Sequence, residues 1–246
     1  MNLLLLEEPD FTTNDHAEVR GARLEHIRTI LGAKVGDTLT AGQLHGKIGT
    51  ATITSLTDSC ATLQTRLTRE PPLPLPLTMV LALPRPKALR RILRNVAELG
   101  IKELYLVNAY KVEKSYWDSP LLQEEAIHTF LTEGLSQAKD TVLPQVYLKK
   151  RFRPFVEDEL PALALGKEAF IAHPYQASPA PAASPHPRLV AIGPEGGFIP
   201  FEVELLQQQG LQAIQIGERI YRVENALTLL TSRLSCTFPV DCHLPE

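Results

Sequence analysis

An α/β fold with a largely parallel sheet, preceded by a small β-rich domain, is what the pattern of this chain predicts. Three observations carry that reading. Residues 77–83, 101–107, 168–172, 188–192 and 212–216 are short apolar runs that read as buried strands. Helical patterns at residues 87–99, 119–138, 200–209 and 225–236 alternate with them, which implies helices on both faces of the sheet. The sequence Pro71-Pro72-Leu73-Pro74-Leu75-Pro76 cannot be helical and reads as a stiff connector. It sets a first domain over residues 1–72 and a second over 73–246.

In the first domain, residues 38–41, 46–56 and 60–67 read as strands, with Gly42 and residues 57–59 as turns. Residues 20–31 form a short helical pattern with Leu24, Ile27, Ile30 and Leu31 on one face. Gly36-Asp37 turns into the next strand. Several short strands in so few residues predict a little barrel. In the second domain, Ile92, Leu93, Val96 and Leu99 point inward from a helix that Gly100 ends. Ser119 caps the next helix, with Pro120 at its first position. Residues 177–187, with four prolines, form a surface loop. Pro200 and Glu202 open another helix and Gly210 closes it. The last helix turns Ala226, Leu229, Leu230 and Leu234 inward, with Asn225 a plausible N-cap.

The bulk composition narrows the function classes. At 246 residues, 44% hydrophobic and 22% charged, the chain has an ordinary globular composition with room for two unequal domains. Its net charge of −3 means that any nucleic-acid role rests on a local basic patch. Cys60, Cys236 and Cys242 are odd in number and lack metal-ligand spacing, so a reduced, cytoplasmic setting is the simplest reading. Residues 1–6 are apolar but meet Glu7 and Glu8 at once, so they read as a buried strand rather than a signal segment. No run approaches the roughly 20 apolar residues of a membrane span.

Two segments carry the chemistry. Ile192-Gly193-Pro194-Glu195-Gly196-Gly197-Phe198 follows one strand, and residues 216–226 follow another. Strand ends of open α/β sheets are where ligand sites form. Adjacent glycines can shape a concavity of N–H groups, although an ordinary strand-to-helix turn reads the same way. The second segment adds Arg219 and Arg222 around Tyr221, which offer guanidinium forks and a stacking face. Arg222 with Glu224 also reads as a surface ion pair. His173-Pro174 follows a third strand and could line the same pocket, although a loop-tip histidine that holds no ligand is the simpler reading. Arg85, Lys87, Arg90, Arg91 and Arg94 form a basic stretch, and residues 149–155 interleave Lys and Arg with Phe. Either suits a phosphate backbone or a solvated face. No phosphate loop, metal motif or Ser-His-Asp order is present.

The tandem Ile-Gly-Pro-Glu-Gly-Gly-Phe and Ile-Gly-x-Arg-Ile-x-Arg-x-Glu-x-Ala resembles the RsmE family of 16S ribosomal RNA methyltransferases, members of the SPOUT class. Arg85-Pro86-Lys87, Glu98-Leu99-Gly100-Ile101, Lys114-Ser115-Tyr116-Trp117 and residues 133–144 look like the family's central region, and residues 26–37 like its PUA-like N-terminal domain. The resemblance implies a trefoil-knotted parallel-sheet domain behind a PUA-like β-barrel. It implies a homodimer that binds S-adenosyl-L-methionine and methylates N3 of a uridine in 16S rRNA or the small ribosomal subunit.

Carried onto this chain, the methyl donor would meet His173, Pro174, Gly193, Pro194, Glu195, Gly196, Gly197, Ile216, Gly217, Arg219, Ile220, Tyr221, Val223, Asn225 and Ala226. Arg222 would stabilise developing negative charge, with Glu224 as proton acceptor or orienting group. Arg23, Arg85, Lys87, Arg91, Arg94 and Lys114 would hold RNA. The chain departs from the family pattern at Ile199, where relatives carry Ser or Thr as a helix cap, and at Val223 and Asn225, where they carry Thr. Gly32, Asn2 and Leu3 replace basic residues in the first domain. Another RNA substrate, such as tRNA, and a non-catalytic RNA-binding role are the competing readings.

Overall fold

The structure is a computed structural model and describes residues 2–236, so Cys242 lies outside the described residues. It divides into two units. One comprises residues up to Leu73 together with Leu131–Leu143; the other comprises Pro74–Phe130 and the residues from Pro144 onward.

The first unit is built on a six-stranded sheet. Its strands are β1 (Leu4–Leu6), β2 (Phe11–Thr13), β3 (His16–Val19), β4 (Thr38–Gln43), β5 (Ile48–Leu56) and β6 (Ala61–Arg69), in the order β1-β4-β5-β6-β3-β2. β1 pairs with β4 in parallel and the other pairs are antiparallel. Alternate residues of β6, Ala61, Leu63 and Thr65, are buried, as the two-residue period of a one-sided strand requires. They close on a core that includes Leu4, Leu6, Val19, Ile27 and Ile53.

Two expectations are corrected here. α1 (Gly21–Glu25) continues into a wider π-helical turn at His26–Ile30. The extra residue per turn rotates the face, so Leu24 and Ile27 are buried while Ile30 and Leu31 are 70% and 42% exposed. Gly42 is not a turn: it lies in β4, between Leu5 and Ile48, and the chain reverses over residues 44–46.

The second unit holds seven strands, all parallel: β7 (Leu77–Ala82), β8 (Glu103–Val107), β9 (Gln145–Lys149), β10 (Glu168–Ala172), β11 (Ser178–Pro179), β12 (Arg188–Ile192) and β13 (Gln212–Gln215). Their order is β11-β13-β10-β12-β7-β8-β9. Every residue of β7 and β12 is buried, as expected of central strands covered on both faces. α2 (Pro86–Glu98) buries Ala88, Leu89, Ile92, Leu93, Val96 and Ala97. Gly100 ends it: its N–H donates to Ala97 at 3.2 Å, and the Ile101 N–H to Val96 at 3.1 Å.

Ser119 does cap a helix, but a short one. Its side chain accepts from Leu121 N–H in the turn Pro120–Leu122, and α3 (Glu124–Ala138) starts afresh. After β9 come α4 (Phe152–Pro154), a π turn at Phe155–Glu159 and α5 (Leu160–Ala164). β11 falls inside the predicted surface loop and pairs with β13. α6 (Pro200–Gln208) starts at proline as expected.

α7 runs Val223–Leu234, so Arg222 is its N-cap and Asn225 sits inside the first turn. The Arg222 carbonyl already accepts from Asn225 and Ala226 N–H, at 3.0 and 2.9 Å. The buried stripe of α7 runs through Val223, Leu227, Leu230, Thr231 and Leu234, which leaves Leu229 on the other side, 42% exposed. Among the described residues, no helix is long and apolar enough to cross a membrane.

Candidate functional site: three strand ends around one cavity

β13, β10 and β12 are adjacent and parallel, so their C-terminal ends open on the same edge of the sheet. The segments leaving those ends enclose a cavity of about 860 Å³. Ala172, His173, Pro174, Tyr175 and Gln176 form its first wall, and residues 192–198 its second. The third comes from Ile214 through Gly217, then Arg219, Ile220, Tyr221, Arg222 and Val223, with Ala226 and Leu230 of α7 behind. Backbone bonds lock the first wall to the third: His173 N–H donates to Ile214 at 3.0 Å and Ala180 N–H to Gln215 at 2.8 Å.

The glycine loop has a specific shape. Gly197 N–H donates to the Pro194 carbonyl at 2.7 Å, closing a tight turn, and Gly197 sits at φ 69°, where a side chain would be strained. A Cβ on Gly193 would stand 2.8 Å from the Phe198 amide nitrogen, so the chain doubles back on itself too closely for any larger residue. Phe198, 5% exposed, anchors the far end against Phe152, with ring centroids 5.9 Å apart.

α6 starts without the hydroxyl cap that the resemblance leads one to expect. Glu202 substitutes for it: one carboxylate oxygen accepts Ile199 N–H at 2.9 Å, the other Tyr110 N–H at 2.7 Å.

The cavity is electrostatically mixed. Lys111, Arg219 and Arg222 bring positive charge, Glu195 and Glu204 negative. His173 meets Tyr175 edge-on, with ring centroids 6.0 Å apart, and burial pushes its pKa below the usual imidazole range. Arg219 and Arg222 are exposed, so their guanidinium groups reach solvent at the cavity edge.

The structure gathers most, not all, of the residues named from sequence. His173, Pro174, Gly193, Pro194, Glu195, Gly196, Gly197, Ile216, Gly217, Arg219, Ile220, Tyr221, Arg222, Val223 and Ala226 line the cavity. Asn225 and Glu224 do not. Glu224 is not paired with Arg222 as the surface-pair reading supposed; its carboxylate, 11% exposed, lies 3.7 Å from Arg91. Arg85 meets Glu195 at 3.9 Å, and its N–H donates to the same carboxylate at 3.2 Å. Arg94 lies over the Phe130 ring at 5.0 Å, while Lys87 and Lys114 are exposed.

Two basic features are tied up within the chain. Arg23 makes a two-pronged bond to Asp10, at 2.6 and 2.7 Å. Lys149 and Arg153 pair with Glu159 and Glu157. Phe198, the last residue of the first sequence segment, lines the cavity too; Lys111, Tyr175, Gln176, Glu204 and Gln207 also line it and were not anticipated. Lys111 comes from a loop far away in sequence, and nothing local to it signals the contact.

Known proteins match this geometry. Residues 71–235 match the family model described as the RNA methyltransferase domain. The ribosomal RNA small subunit methyltransferase E of Treponema pallidum is 32% identical, over 92% of this chain and 87% of its own length. The chain belongs to this family. The protein of the same name from Synechocystis is 26% identical, over 87% of this chain and 71% of its own length. A third of that name, from Neisseria gonorrhoeae, has a crystal structure bound to S-adenosyl methionine. It superposes with a TM-score of 0.72 at 19% identity, covering 94% of this chain and 95% of that one. The family's fold is therefore present here as a mixed α/β architecture with a parallel sheet. Family membership makes the three-walled cavity the place to ask what this chain binds.

Proposed function

We propose that the chain transfers a methyl group from S-adenosyl-L-methionine to N3 of a uridine in 16S rRNA, as a cytoplasmic homodimer acting on the RNA or the small ribosomal subunit. The observation that carries the reading is the cavity at the ends of β10, β12 and β13. Its glycine wall has no room for a Cβ at Gly193, and its volume of about 860 Å³ suits a nucleoside-sized ligand. Curated relatives named as small-subunit rRNA methyltransferases support it.

The residues present fit the methyl donor. Ile192, Val223 and Leu230 supply apolar surface for a flat ring, and the backbone of residues 193–197 and 214–217 frames it. When bound, the donor supplies an electrophilic methyl group on a sulfonium. The chain must then bring N3 of a uridine into line with that methyl, with its proton removed. Arg222 would stabilise the negative charge that develops on the uracil ring, a role supported by its exposed position on the cavity lining. Glu224 acts as an orienting group: paired with Arg91, it steadies the start of α7, two residues beyond Arg222. A base within folded rRNA is splayed out to reach such a pocket.

RNA would be held by Arg85, Lys87, Lys114 and the exposed parts of Arg91 and Arg94. We also propose that residues 1–72 form a PUA-like barrel that holds RNA, with the Arg23–Asp10 pair bracing its chain rather than meeting phosphate, and that residues 73–246 form the knotted transferase domain. In that domain the end of α7 is anchored to the segment ahead of β12. Ser184 N–H donates to Leu234 at 3.4 Å, and Cys236 N–H to Ser184 at 3.3 Å.

Titration calorimetry with S-adenosyl-L-methionine and with its demethylated product tests the reading. Binding with micromolar-range affinity, about −8 kcal/mol, is expected. Absence of binding by either ligand would overturn the proposal.

A further inference from the structure

Two contacts join the segment after β8 to the glycine loop, and neither is needed to form a helix or the sheet. The Glu202 side chain is buried, 3% exposed as a residue. One of its oxygens caps the start of α6 through Ile199 N–H, and the other accepts Tyr110 N–H at 2.7 Å. Beside it, the Lys111 ammonium donates to the Gly196 carbonyl at 2.6 Å. An ammonium bonded to a carbonyl is a charge-assisted bond, stronger than a neutral one. The Lys111 stem also covers the loop, since a Cβ on Gly196 would stand 2.8 Å from Lys111 Cδ. Residues 110–111 and 196–202 are thus fastened to each other at two points, with both donors on the 110–111 side and both acceptors on the other.

The consequence concerns the shape of the loop. The turn's own bond, Gly197 N–H to Pro194, holds the Gly196–Gly197 peptide by its N–H and leaves its carbonyl oxygen without a partner inside the loop. Lys111 takes that oxygen, so the peptide is held at both ends by one bond from within the loop and one from outside it. We infer that Lys111 and Glu202 are positioning residues that hold residues 193–197 in their cradle shape before any ligand binds. The inference rests on the methyl-donor reading of the cavity only for what the cradle receives.

The test uses the full chain as Lys111→Met, Lys111→Arg and Glu202→Gln. Amide hydrogen exchange of residues 195–199 is followed without ligand, and binding of the demethylated donor is followed by calorimetry. In Lys111→Met, loop amides should exchange about tenfold faster and the ligand should bind about tenfold more weakly, the size expected for losing one charge-assisted bond. Lys111→Arg should restore most of both, because it keeps a cationic donor.

Lys111 is exposed, so its thermal midpoint should stay close to that of the parent protein, and it carries the test if Glu202→Gln fails to fold. Unchanged exchange in Lys111→Met overturns the inference. So does faster exchange with unchanged affinity, since the shape of the loop would then not matter to the ligand. If the parent protein binds no donor at all, the methyl-donor reading fails, and the exchange arm still decides whether Lys111 holds the loop.

Discussion

Arg91 of α2 and Glu224 of α7 face each other at 3.7 Å, with the carboxylate 11% exposed and the guanidinium 56% exposed. Glu224 is therefore engaged on the α2 side of α7 and does not line the cavity where a proton acceptor for N3 would have to act. In Glu224→Gln the pair is lost. Because Arg91 is largely solvated, the expected loss of stability is only about 0.5–1 kcal/mol. Methyl-transfer kcat should fall less than about tenfold, against the 10²-fold or more expected for removal of a general base. Steady-state kinetics with rRNA, alongside denaturant unfolding, separate these outcomes.

Arg222 is predicted to act on the transition state rather than on donor binding. Arg222→Ala should lower kcat by about 10²-fold, the size seen when a donor to developing negative charge is removed. Donor affinity measured by calorimetry should stay within a few-fold of the parent. A fall in affinity matching the fall in rate would place Arg222 in ground-state binding instead.

The glycines of the second wall should differ in their tolerance. An alanine Cβ at 193 meets backbone, the Phe198 amide nitrogen at 2.8 Å, whereas at 196 it meets the flexible Lys111 side chain at the same distance. Gly193→Ala should cost about 1–3 kcal/mol of stability as an overpacked site, and abolish donor binding. Gly196→Ala should fold normally and bind more weakly. Thermal melts with and without donor compare the two.

His173 gives the cavity a pH signature. Burial lowers its pKa, so below the ordinary imidazole value of 6.5 the unfolded chain binds a proton that the folded chain resists. The stability contributed by neutral His173 is thus fully present above that value and is lost as pH falls through the folded-state pKa. His173→Gln should flatten this acid-side loss. Proton NMR of the imidazole should show it titrating below the ordinary range.

Arg188 tests the anchoring of the end of α7. It is 5% exposed and donates to Glu168 and to the Ala182 and Leu234 carbonyls, each at 2.7 Å. Arg188→Met leaves those acceptors unpaired and should lower stability by about 2–4 kcal/mol. Hydrogen exchange should quicken at residues 184 and 236, whose amides lie at this junction.

The legible parts of the fold were those governed by local periodicity. The apolar runs of β7 and β12 and the glycine stop after α2 follow from residues a few positions apart. Ile30 and Leu31 face outward because a π turn rotates a face that a 3.6-residue period assumes fixed, and Leu229 because the buried stripe of α7 starts from Val223 and passes through Leu227. In the site, the two loops were visible because each is continuous in sequence. The Lys111–Gly196 and Arg91–Glu224 contacts were not, because they join residues that only the folding of the sheet brings together.

The central claim is tested most directly by incubating the purified chain with methyl-labelled S-adenosyl-L-methionine and unmodified small subunits or their rRNA. The RNA is then digested to nucleosides and analysed by mass spectrometry. The account predicts label in 3-methyluridine, at a single site, and its loss with Arg222→Ala. Label in a ribose 2′-O-methyl group or another base, or no label in rRNA while tRNA is methylated, would contradict it.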